Sequence, residues 1–317
     1  MTGTPLRRLG ASDLHLAPLV LGGNVFGWTA DKDASFAVLD AFVEGGGVMI
    51  DTADVYSAWV PGHTGGESET LIGEWLRRSG KRDRVQIATK VGMLPGEGGA
   101  KLAPARIAAA CDASLRRLGT DHIDLYFAHQ DDEDVPQVDY LAAFGKLVDA
   151  GKVRVVGASN FSADRLRSAL ALSREGLPRI EALQPEYNLV SRTKFEGALQ
   201  DLCVAENVGV VPYYGLASGF LTGKYRSDAD LGKSVRGSRM PALLAGKGKP
   251  VLAAMDAVAA ETGATLAQIA LAWLIAQPAI TAPIASATSA AQLRELLPAM
   301  TLTLSHDQLA RLTAAGT

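Results

Sequence analysis

The chain has 317 residues, 48% hydrophobic and 21% charged, an ordinary globular composition with enough apolar side chains for a large core. Its formal charge of -3 excludes the strongly basic surface that nucleic acid or an anionic membrane would require. Cys111 and Cys203 lie in separate helical patterns and read as buried thiols of a reducing cytoplasm, not as a disulfide. No charged segment followed by a long apolar core marks the N-terminus. The most apolar helix, about residues 265–277, is stopped by Pro278 and falls short of the ~20 residues a bilayer span needs. A cytoplasmic protein without membrane or nucleic-acid partners is expected.

From the N-terminus, Pro5 to Pro18 alternates around the turn-rich Gly10-Ala11-Ser12-Asp13, which predicts a short hairpin. Leu19-Val20-Leu21 then enters Gly22-Gly23 as a first parallel strand. Further strands are predicted near Val48, Val85, Ile123, Val153, Ala182, Val208 and Ile280, most of them roughly 26–38 residues apart, room for one helix each. Ile107, Cys111, Leu115 and Leu118 repeat at helical spacing between Pro104 and Gly119. Leu141, Phe144 and Val148 do so before Gly151, Ser162 caps a helix carrying Leu166 and Leu170, and Phe195, Leu199 and Leu202 make another stripe. The rhythm predicts one (β/α)8 TIM barrel domain over residues 1–317. It is broken once, after strand seven, by a long loop from Gly215 to Pro250 rich in Gly, Ser, Lys and Arg. A second irregular stretch, 57–66, should overlie the same face.

Three successive strands end in ionisable residues. Val48-Met49-Ile50 delivers Asp51, with Tyr56 on the loop beyond. Val85 to Thr89 stops at Lys90, and Ile123 to Ala128 stops at His129. In a parallel barrel all these ends share one face, so the four side chains converge as a proton-donating site. Trp28 and Trp59 follow strands one and two and are candidate walls of a substrate pocket. There is no G-x-G-x-x-G after a strand, no phosphate-binding G-x-x-x-x-G-K-[ST], no G-x-S-x-G and no metal-ligand spacing.

Several stretches together resemble the aldo-keto reductases: Leu9 to Leu14, Leu21-Gly22-Gly23, Asp51-Thr52-Ala53-x-x-Tyr56, Thr89-Lys90, Leu125 to His129, Gly157 to Phe161, Gln184 to Leu189 and Gly219 to Tyr225. Each is weak alone; in this order, from residue 6 to about 297, they are specific. The resemblance implies a barrel that binds a nicotinamide dinucleotide without a Rossmann domain and reduces aldehydes or ketones, small-molecule carbonyls. It implies that Tyr56 is the acid, Lys90 the cation that lowers the phenol's pKa, Asp51 the partner of Lys90, and His129 the group that orients the substrate oxygen.

For the cofactor, the resemblance implies contacts from Gly23, Asn24 and Asp51, and from Ser159, Asn160 and Gln184 to the carboxamide. It further implies stacking by Tyr213, a pyrophosphate cradle from Leu216, Ser218, Gly219 and Lys224, and further cofactor contacts from Tyr214 and Gly215. Here the chain departs from pattern. The segment Ile284 to Thr288, with Gln292 beyond, lacks the cations that in many members grip an adenosine 2′-phosphate. Ser286, Thr288, Gln292 and Glu295 remain as polar contacts, and Arg236 or Arg239 on the long loop can supply the charge. NADPH is favoured over NADH. The alternative function is an NADP-binding regulatory or redox-sensing subunit with little turnover, similar to the potassium-channel β subunits. An isomerase or lyase on a phosphate-binding barrel would not explain Tyr213, Gln184 and Ser159-Asn160 together.

Overall fold

A computed structural model of the chain describes residues 5–316; Met1 to Thr4 and Thr317, which the single-domain expectation includes, lie outside them. β1 (Arg7–Arg8) and β2 (His15–Leu16) pair antiparallel, so the expected hairpin is present. Eight parallel strands follow: β3 (Val20–Gly22), β4 (Met49–Asp51), β5 (Gln86–Val91), β6 (Ile123–Ala128), β7 (Val153–Ser159), β8 (Ile180–Gln184), β9 (Gly209–Val210) and β10 (Ile284–Ala285). Their order is β10-β3-β4-β5-β6-β7-β8-β9. Between the two outer members, Thr281 N–H donates to the Val210 carbonyl at 2.8 Å and Ile284 N–H to that of Pro212 at 2.9 Å. These bonds close the sheet into a TIM-type barrel, as the strand rhythm predicts.

The strands are buried on both faces, as parallel strands covered by helices must be. Inside the barrel, Met49, Ala88, Leu125, Phe127, Val155, Ala182 and Ala282 pack against Leu9, Leu14 and Leu16 of the hairpin, which therefore stoppers the N-terminal end. The hairpin turn fits only because residue 10 is glycine. Its φ is +57°, and a Cβ there would sit 2.5 Å from the Glu181 carbonyl oxygen of β8.

The helices form where the sequence signals place them. The helix Pro104–Leu118 opens on its proline and ends at Gly119 in the left-handed region, φ 65°. Ser162 caps Ala163–Ser173 by accepting from Arg165 N–H, and Thr265 with Gln268 forms a capping box on Leu266–Ile275. Both cysteine thiols are free and buried, and burial pushes each up to about 12. Among the described residues no single helix is long and apolar enough to cross a membrane.

Three expectations need correction. Phe195 lies in the turn before Ala198–Ala205, because Gly197 at φ 86° interrupts the stripe; it is nonetheless buried, against Tyr187. Ile280 makes only an isolated bridge to Val210, and the last strand starts at Ile284, since Pro283 has no N–H for a ladder. The segment 215–250 is not an open loop: it holds short 3-10 turns and the helix Pro241–Ala245, anchored by buried Phe220, Leu221, Tyr225, Met240 and Leu244. The hairpin stopper is testable. Leu14→Ala should lower the unfolding free energy by about 2–5 kcal/mol in denaturant titrations, because it hollows a closed interior.

Candidate functional site

Parallel pairing sets β4 beside β5 with Asp51 opposite Ala88, so Lys90 reaches past the end of β4. Beyond β4 the chain keeps to β5: Thr52 N–H donates to the Ala88 carbonyl at 2.8 Å and Asp54 N–H to that of Lys90 at 3.2 Å. This path brings Tyr56 back over the lysine. The Lys90 ammonium, with no solvent exposure, donates to Asp51 Oδ2 at 2.7 Å, to the Thr52 carbonyl at 2.7 Å and to the Tyr56 hydroxyl at 3.2 Å. An ammonium has three protons, and each has an acceptor. Since the phenol oxygen accepts from Lys90, its own proton is free to point elsewhere.

His129, placed by β6 and by its N–H to the Val91 carbonyl at 2.8 Å, sets its ring edge-on to Tyr56, centroids 5.9 Å apart. The ring is buried and its Nδ1 has no partner. The structure thus brings Asp51, Tyr56, Lys90 and His129 together at the C-terminal mouth of the barrel.

The electrostatics differ from the sequence expectation in one respect. Burial raises the Tyr56 phenol, and although Lys90 pulls the other way as expected, the net direction is up. Tyr56 therefore holds its proton. Burial acts to lower the Lys90 ammonium, but Asp51 and then Tyr56 outweigh it and raise it. For His129, burial and then the Lys90 charge both lower the imidazole well below its ordinary value, so it is neutral.

A hydrogen-bonded chain runs from the tetrad across the mouth. Gln184 Nε2 donates to Asp51 Oδ1 at 2.9 Å, and the Ser159 hydroxyl to the Gln184 carbonyl at 2.8 Å. Asn160, at φ 58°, donates to the His129 carbonyl at 3.1 Å and accepts from the Tyr213 hydroxyl at 2.8 Å. Tyr214, Ala217, Ser218 and Gly219 all have positive φ, on either side of Gly215 and Leu216 and ahead of Lys224. A Cβ on Gly219 would lie 3.1 Å from Lys224 Nζ, so the glycine leaves room for that charge beside exposed backbone. On the far side Ser286 donates to Asn24 Oδ1 at 2.6 Å beside Gly23, and Thr288 donates to Gln292 Oε1 at 2.9 Å; Glu295 is exposed beyond them.

Trp28 and Trp59 pack edge to face at 5.6 Å, and Trp59 against Tyr56 at 5.7 Å, which makes them one wall beside the acid. The Arg236 guanidinium lies 5.3 Å over the Trp28 ring, and Arg239 donates to the Tyr214 hydroxyl at 3.3 Å. Among the described residues neither has a carboxylate partner, and neither hydrogen-bonds to Ser286, Thr288 or Gln292. Sequence reasoning missed the part of Gln184 in holding Asp51. It also missed buried Asp54, Glu69 and Arg106, with partly buried Arg117, a charged group beside the Asp51–Tyr56 stretch. The position of Asp54 within the Asp51–Tyr56 stretch was the available signal.

Two measurements follow from this electrostatic arrangement. Lys90→Met leaves Asp51 buried without its cation and should cost about 3–5 kcal/mol in equilibrium unfolding. For His129 the folded-state value is depressed, so below about pH 6.5 the unfolded chain takes up a proton that the folded one refuses. Stability should fall with acidity there, by at most about 1.4 kcal/mol per pH unit, and His129→Gln should flatten that dependence.

The profile of the Aldo/keto reductase family matches residues 18–317. The chain is 32% identical to L-glyceraldehyde 3-phosphate reductase of Escherichia coli (strain K12), over 96% of this chain and 90% of the relative. It is 32% identical to Protein tas of the same organism, over 97% and 96%. It is also 34% identical to Aldo-keto reductase str7 of Strobilurus tenacellus, over 85% and 76%.

Proposed function

The chain belongs to the aldo/keto reductase family of oxidoreductases, and from that premise we propose that it reduces small aldehydes or ketones to alcohols with NADPH, Tyr56 being the proton donor. The observation that carries the reading is the half-buried Tyr56, whose hydroxyl accepts from the Lys90 ammonium and leaves its own proton unspent. A nicotinamide cofactor would supply the hydride, which no side chain can deliver.

The residues fit such a group. Ser159, Asn160 and Gln184 offer amide and hydroxyl contacts at strand ends, with the Tyr213 ring held beside them by Asn160. The positive-φ residues Tyr214, Ala217, Ser218 and Gly219, with Lys224 against the glycine, have the amide-and-cation chemistry of a pyrophosphate cradle. Arg236 and Arg239, free of carboxylates, are the cations we assign to an adenosine 2′-phosphate, in place of those missing around Ser286, Thr288 and Gln292.

In this reading Asp51 fixes Lys90, and Lys90 steadies the phenolate that forms as Tyr56 gives its proton to the substrate oxygen. Neutral His129 orients that oxygen through a ring N–H, and Trp28 and Trp59 exclude water from the approach.

Tyr56→Phe should lower kcat by about 10²–10⁴-fold while NADPH still quenches intrinsic fluorescence; wild-type turnover in this variant would remove the phenol from the chemistry. The assay is NADPH oxidation with simple aldehydes, including L-glyceraldehyde 3-phosphate, for which the Escherichia coli relative is named. An NADP Kd no lower than that for NAD would sink the assignment of Arg236 and Arg239.

A further inference from the structure

The helices Glu67–Ser79 and Pro104–Leu118, packed outside β4 to β6, hold charges that the chemistry above leaves unused. Asp54 is fully buried; its Oδ2 accepts from Arg106 Nη2 at 3.3 Å, and its Oδ1 has no partner. Glu69 faces it from the first helix and Arg106 and Arg117 from the second. From β6 the Tyr126 hydroxyl faces the same charges, buried and also without a partner. Glu69 is itself taken, by Thr89 at 2.5 Å and Arg117 at 2.6 Å. Arg106 is the only side-chain hydrogen-bond partner of Asp54 among the described residues.

Arg106 does more than meet a carboxylate. Its Nε donates to the Leu94 carbonyl at 3.0 Å and its Nη1 to that of Glu97 at 3.4 Å, so the turn after β5 is wrapped around the guanidinium. A Cβ on Gly96 would lie 2.7 Å from Nη1, which shows how closely the turn is drawn in. The irregular stretch after Tyr56 rests on the same spot: a Cβ on Gly65 would be 2.8 Å from both the Asp54 carbonyl oxygen and Leu94. One arginine and one aspartate thus join the segment carrying Tyr56 and Trp59 to the turn carrying half-exposed Met93.

We propose that Asp54 is a positioning residue for Tyr56: gripped by Arg106, it locks the 54–66 segment to the 92–99 turn and so fixes where the phenol hydroxyl stands. The proposal rests on the reading of Tyr56 as the acid. Burial, with the Glu69 charge adding to it, raises Asp54 to about 7 against the pull of Arg106 and Arg117. A carboxyl raised in the locked, buried arrangement above its exposed value binds a proton on locking, so the lock is strongest with Asp54 protonated. It loosens as pH rises from the ordinary carboxylate range toward about 7.

Hydrogen–deuterium exchange, corrected for intrinsic rate, tests this in the intact protein at pH values about one unit either side of 7. Wild type should protect 55–66 and 92–99 more strongly at the lower pH, and Asp54→Asn, which has no titrating group there, should lose that difference. Asp54→Ala and Arg106→Gln should bind NADPH as wild type does yet lose about 10–100-fold in kcat, with KM nearly unchanged. Wild-type kcat should fall as pH rises through about 7, and that fall should vanish in Asp54→Asn. Protection in wild type that ignores pH overturns the lock, as does wild-type kcat in a folded Asp54→Ala. If no variant folds, the wild-type exchange comparison still decides. A wild type that oxidises no NADPH with any carbonyl overturns the reductase reading instead, and the exchange data then judge the lock alone.

Discussion

A lysine ammonium with no exposure to water dictates the geometry around it. Stripping an ion of its hydration costs several kcal/mol even after relaxation, and the loss is offset only when every proton finds a well-placed acceptor. Lys90 finds one carboxylate, one main-chain carbonyl and one phenol oxygen. The carboxylate is usable because Gln184 occupies its second oxygen, and the carbonyl and phenol are within reach because the chain after β4 hugs β5 before turning away. Four strands are therefore tied to one charge: β4 and β5 directly, β8 through its glutamine, and β7 through Ser159.

The same burial governs the two neighbouring rings. Tyr56 keeps its proton because desolvation outweighs the pull of Lys90, and His129 stays neutral because desolvation and Lys90 act in the same direction. A single cation beside two rings thus opposes the burial effect on one and reinforces it on the other. The outcome is a phenol that keeps its proton next to an imidazole that stays neutral.

The parts of this arrangement that were legible in the chain are those encoded locally. Pro104 and Gly119 bracket a helix, Ser162 caps another, and apolar runs ending in Asp51, Lys90 and His129 announce strands opening on one face. Spacing could not show the depth of burial, so the Lys90 attraction for a phenolate was visible while the larger opposing effect was not. Nor could it place loops: Arg236 was readable as a spare cation, but its seat over Trp28 depends on how a long segment folds onto its own buried anchors. The turn at Phe195 and the late start at Ile284 escaped for a simpler reason, since a glycine or a proline overrode an apolar stripe that continued past it. Asp54 was masked by its more conspicuous neighbours Asp51 and Tyr56.

The wall of the barrel is not uniform around its circumference. Where β5, β6 and β7 meet, the ladders are long. At the join of β9 with β10 the strands are two residues each, and a proline thins the contact. The long 211–250 segment departs beside that thin join, whereas Lys90 stands on the opposite arc. The covering segment is thus rooted at the thinly paired join, and Lys90 where the ladders are longest.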